Sequence, residues 1–100
     1  MDWLRLYSSV RHDPKVQQLA PALFKHWINM LTLANDQPER GIIRLYHETI
    51  AFELHIRPDR LVKILDNLVL RGLLTHGQDG SYSPHNWSLR QYKSDSSYER

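Results

Sequence analysis

From Gly41 to Pro84 the chain strings together elements whose junctions each carry their own local chemistry. A turn cluster, "NDQPERG", leads into the short β-branched run "GIIRL". "HETIAFELH" then spaces Ile50, Ala51 and Leu54 as one helical face, and "IRPD" breaks it, because Pro58 disfavours helix at Arg57. "PDRLVKILDNLVLRG" sets Leu61, Ile64, Leu65 and Leu68 on a second face and stops at Gly72, a residue suited to closing a helix. "LLTHGQDGSYSP" reads as strand, Asp-Gly turn, strand. Two helices that cross steeply need a small residue at the crossing and an apolar plug in the turn; Ala51 and Ile56 supply them. The predicted fold is mainly α with a small β wing (α+β): a winged helix-turn-helix with extra N-terminal helices.

Upstream, "DWLRLYSSV" reads as a short strand or an extended arm. Asp13-Pro14 is an N-cap followed by a first helical position, opening a short helix over about residues 14–20. Pro21 restarts the chain into "PALFKHWINMLTLAND", whose only polar stripe is Lys25, Asn29 and Thr32; so apolar a helix is predicted to be enclosed on most sides. Residues 1–89 are thus expected to form the winged domain. Residues 90–100 are polar and serine-rich, with Ser96 and Glu99 spaced as a capping box, and are expected to begin a linker to a further region.

On the second helix of the motif, the face opposite the leucines carries Asp59, Arg60, Lys63, Asp66, Asn67 and Arg71. Arg60, Lys63 and Asn67 are spaced to reach one DNA groove: Arg and Lys suit guanine edges or phosphates, and Asn suits adenine. Arg57 and Arg71 flank them as candidate phosphate contacts, while Asp59 and Asp66 oppose any approach to phosphate. A solvated face with helical charge pairs such as Asp59–Lys63 accounts for the same residues equally well. The wing tip "HGQDGS" has no Arg or Lys, which argues against a phosphate clamp there. In the tail, Arg90 and Lys93 flank Tyr92, a basic-aromatic mix suited to tracking a nucleic-acid backbone.

Other functions find little support. The net charge of +2 permits nucleic-acid binding without arguing for it. The chain has no cysteine, and its six histidines form no H-x-x-x-H pair, so neither a metal nor another cofactor is expected. No nucleophile elbow or glycine-rich phosphate loop is present, which makes an enzyme the least supported class. No apolar run approaches the ~18 residues of a membrane span, and the predicted location is the cytoplasm.

The two ends of the chain carry a resemblance. "RGLLTHGQDGSYSPHNW" and "HNWSLRQYKSDSSYER" resemble a segment of phage and prophage replication proteins, the DnaD-like replisome organisers. "WLRLYSSVRHDPKVQQL" is similar to that family's opening, where a W-x-R-x-Y run precedes D-x-K-V. The resemblance implies a winged-helix N-terminal domain, a linker, and a further region that binds DNA or recruits the replicative helicase or its loader. It also implies that the winged domain can self-associate. The leading expectation is therefore a DNA-binding domain of a replication initiator. The alternatives are a protein-interaction module, dimerising through the arm Trp3–Tyr7 and the helix around Trp27, and a winged-helix transcription regulator.

Overall fold

The computed structural model describes residues 2–95. The Ser96–Glu99 helix start lies outside them. An extended arm, residues 2–7, leads into a 3₁₀ turn at Ser8–His12 and the single-turn helix α1, Pro14–Gln17, which Asp13 caps by accepting the backbone N–H of Lys15 (3.0 Å). Helix α1 is shorter than expected because Gln18 already leaves the helix and Pro21 imposes a new start.

Helix α2, Pro21–Asn35, buries Trp27, Met30, Leu33 and Ala34. It is less enclosed than its composition implies. Leu23, Ile28 and Leu31 are half-buried, and Phe24 lies at the surface with its ring edge-on to Trp27. The run "GIIRL" contributes one paired residue rather than a strand. Ile43 exchanges both backbone hydrogen bonds with Tyr82 (2.8 and 3.0 Å). On either side the chain turns away, with Gly41 N–H bonded back to the Ala34 carbonyl and the next helix starting at His47.

Helices α3, His47–Leu54, and α4, Pro58–Leu70, form the centre of the fold. Ile50, Ala51 and Leu54 pack against Leu61, Leu65 and Leu68, all essentially inaccessible to water. The link between them is tight. Ile56 N–H bonds to the Ala51 carbonyl (2.9 Å) and His55 N–H to that of Phe52 (3.2 Å), the paired bonds of a Schellman motif. His55 takes the left-handed conformation (φ 57°, ψ 42°) that this closure requires. A residue with a Cβ is strained there by about 1–2 kcal/mol, partly offset by the larger backbone entropy glycine loses on folding. His55→Gly is therefore expected to raise the stability by about 0.5–1 kcal/mol, read as an increased denaturant midpoint; a lowered midpoint would show that the imidazole makes a stabilising contact.

The same closure ends α4, with Leu73 N–H on the Leu68 carbonyl and Gly72 N–H on that of Val69 (both 3.0 Å). The chain continues into an antiparallel hairpin, β1 Leu74–His76 and β2 Tyr82–Pro84, in the register Leu74↔Pro84, Thr75↔Ser83 and His76↔Tyr82. The fold is thus mainly helical with one small two-stranded sheet, an α+β arrangement. No helix among the described residues is long and apolar enough to cross a membrane.

After a four-residue helix α5, Trp87–Arg90, the chain returns to its own beginning. Residues 90–95, expected to start a linker, are clasped to the N-terminal arm. The Gln91 side-chain amide brackets the backbone of Arg5, accepting its N–H and donating to its carbonyl (both 2.8 Å). The Asp95 carboxylate takes two hydrogen bonds from the Arg5 guanidinium (2.8 Å each), which also lies over the Tyr92 ring (4.4 Å). Tyr7 donates to the Arg90 carbonyl (2.8 Å), and Gln91 and Asp95 are buried as a result.

Candidate nucleic-acid interface

With 3.6 residues per turn, Arg60, Asn67 and Arg71 fall within about 40° of one another, and Lys63 flanks them by about 60°. All four are exposed on α4 or its C-cap, forming a stripe about 16 Å long. Within it, Arg71 donates through Nε to the Asn67 side-chain oxygen (2.7 Å), which aligns the guanidinium along the helix. Arg60 and Lys63 form no ion pair with any described residue.

The two acids that weigh against phosphate approach lie differently. Asp59 is paired with Arg57 (3.2 Å), so the two charges at the start of α4 cancel. That engages the Arg57 guanidinium and leaves Arg60, Lys63 and Arg71 as the cations of the stripe, none of them ion-paired among the described residues. Asp66 lies on a flank, where its field, after burial, helps push the Tyr82 phenol above its ordinary pKa. The Tyr82 ring stacks on His76 (4.2 Å between centroids, planes 7° apart), and its hydroxyl is 3.5 Å from His47 Nε2.

The tip of the hairpin is not cationic. Asp79 Oδ1 accepts the Ser81 hydroxyl (2.6 Å) and backbone N–H (3.0 Å), bonds that hold its carboxyl below the usual range. Arg44 lies between Asp79 (3.6 Å) and Glu39, to which it is hydrogen-bonded, so one guanidinium faces two carboxylates and the group stays net anionic.

Arg90 and Lys93 lie on α5 and the segment after it rather than on α4. Arg90 stacks over Tyr7 (5.2 Å) and lines a cleft of about 490 Å³ that Gly72 and Leu73 also border, so it sits near the C-terminal end of α4. Lys93 is exposed and does not line that cleft. The cleft adds His12, Lys15 and His85, cationic or ionisable groups that local sequence patterns did not single out. His12 and Lys15 are three residues apart, but His85 comes from far along the chain, and no spacing rule connects it to them.

The two surfaces expected to self-associate are partly covered by the chain itself, while Trp3, Leu6 and Phe24 remain exposed. Trp27 is only 8% exposed, and the arm is fixed to residues 90–95. Arg5 holds the Asp95 carboxyl below its ordinary pKa, ahead of burial, which pushes the other way. A carboxylate with a lowered folded pKa stabilises the native state above the unfolded value of ~3.9, and that contribution fades as pH falls through the lowered pKa. Acidification below about pH 4 is therefore expected to loosen the arm–tail clasp, with hydrogen exchange at the Arg5 and Asp95 amides speeding up relative to the α4 core. In Asp95→Asn the exchange should be fast already at pH 7 and insensitive to this range; a wild-type acid response surviving in the variant would remove Asp95 as its cause.

Among the described residues no group of three His, Asp or Glu side chains is placed to hold a metal ion. No family model, curated protein or solved structure matches the chain.

Proposed function

We propose that this domain is a winged helix-turn-helix that binds duplex DNA by laying α4 in the major groove. The architecture supports this reading in its order and its pairing: α3, a closed turn, α4 and a hairpin, with Ile43, just before α3, adding a bridge to the second hairpin strand. A helix about 10–12 Å across matches a groove about 12 Å wide. The observation that carries the proposal is the exposed stripe Arg60–Lys63–Asn67–Arg71, with the charge of Asp59 cancelled by Arg57 at its edge.

In this arrangement Arg60 and Lys63 meet phosphates or guanine edges, and the Arg71–Asn67 pair presents a guanidinium and an amide N–H₂ further along the groove. The anionic wing tip leaves the hairpin as a support for the helix rather than a backbone clamp. The resemblance of both chain ends to phage replisome organisers makes replication initiation the process such binding would serve, with the replicative helicase or its loader as protein partner. Titration into fluorescently labelled duplex and single-stranded DNA, followed by anisotropy at low and near-physiological salt, tests the reading. Duplex binding that weakens steeply with salt supports it. No duplex binding at low salt would rule it out and leave the domain as an assembly module.

A further inference from the structure

The cleft between the N-terminal arm, α2 and the chain after the hairpin is separate from the α4 stripe and has its own chemistry. Its volume, about 490 Å³, lies in the range of small-molecule sites. Trp27, Leu31, Leu73 and Pro84, all buried or half-buried, make an apolar floor, and the half-buried rings of Tyr7 and Trp87 stand at its sides. Around the opening are the exposed side chains of Lys15, Arg90, His12 and His85. The one carboxylate that lines it, Asp13, is turned to capping α1 through the Lys15 N–H. Arg5, also at the cleft, is neutralised by Asp95. The local charge is therefore positive, beside the half-buried rings of Tyr7 and Trp87.

Trp87 is held against a backbone that leaves no room for error. A Cβ at Gly41 would fall within 2.8 Å of three atoms of its ring, and the Arg40 guanidinium lies over that ring from another side (5.4 Å). Lys15 is exposed, and its Nζ lies 3.4 Å from where a Cβ at Gly72 would be, which places the ammonium at the mouth of the cleft beside the end of α4. A fixed aromatic wall with an ammonium and a guanidinium at the rim is suited to a flat ring that carries an anion.

We infer that this cleft binds a nucleotide, its base against Trp87 and Tyr7 and its phosphate between Lys15 and Arg90. The nucleotide is either free in solution or the unpaired end of a strand. This site is independent of duplex binding by α4. The test is quenching of tryptophan fluorescence on titration with a deoxynucleoside monophosphate, a five-nucleotide single strand, the matching deoxynucleoside and inorganic phosphate. Saturable quenching by the monophosphate or the single strand, with the deoxynucleoside and phosphate at least tenfold weaker, is the expected result; preference between the first two identifies the source.

Lys15→Ala and Arg90→Ala, both at exposed side chains, should each raise the half-saturation concentration about tenfold, the cost of one charge-assisted hydrogen bond. Their circular dichroism should match the parent's. Lys63→Glu should leave this titration unchanged while it weakens duplex binding, so the two sites fail separately. Absence of quenching, equal binding of phosphate alone, or full affinity in Lys15→Ala and Arg90→Ala would each overturn the assignment.

Discussion

Reversing Arg60 and Lys63 together to glutamate is expected to lower affinity for duplex DNA at least roughly 30-fold at low salt, the loss of two contacts worth about 1–3 kcal/mol each. Each phosphate contact also releases condensed counterions, so the slope of log affinity against log salt should flatten by roughly 0.9 per contact, near 2 for the pair. Neither side chain supports the fold, since both are exposed and neither is ion-paired among the described residues. The variant should therefore unfold at the parent's denaturant concentration. Arg11→Glu with Lys25→Glu makes the same change in net charge at exposed positions off α4. If that control loses as much affinity and slope, the attraction belongs to the protein's overall charge, and α4 is not the reading element.

The largest effect on stability is expected at Gly41→Ala. The backbone there has φ +96°, a conformation costing an L-residue about 1–2 kcal/mol, and the new methyl would run into the Trp87 ring. Forcing the indole aside adds overpacking strain of about 1–3 kcal/mol, bringing the total to about 2–5 kcal/mol. For a domain of this size that is a fall in Tm of about 8 °C or more. Gly80→Ala is the comparison: φ is +86°, yet no atom lies within 4 Å of the added Cβ, so only the backbone strain should register. In a Trp87→Ala background the cost of Gly41→Ala should drop to that same backbone value. Equal losses at Gly41 and Gly80 in the parent would show that the indole moves freely and that the seat beneath it has no energetic consequence.

The helices were legible because their signals are local. Pro58 and Gly72 bound α4, Leu61, Leu65 and Leu68 recur at helical spacing, and the structure buries those three side chains completely. The stripe of Arg60, Lys63, Asn67 and Arg71 follows from the same periodicity, because all four fall off the leucine face, Lys63 nearly opposite it and the other three along its edge. What periodicity could not show was the state of each charge. The pairing of Asp59 with Arg57 rather than Lys63, and of Arg71 with Asn67, depends on rotamers chosen among several neighbours of similar energy.

The sequence by itself determined helices α2, α3 and α4, the hairpin, their order and the exposed positions of α4, since propensity, capping and amphipathic spacing act over one or two turns of chain. Only the tertiary structure decided three other features. The run "GIIRL" became a single bridge because Tyr82, far along the chain, offers it one pairing position. Residues 90–95 became a packed segment because Gln91 and Asp95 find Arg5 across 86 and 90 residues. The cleft of Lys15, Trp87 and Arg90 exists because segments from both ends of the chain converge on α2. Contacts at such separations are set by the way formed elements pack together, and no local pattern encodes them.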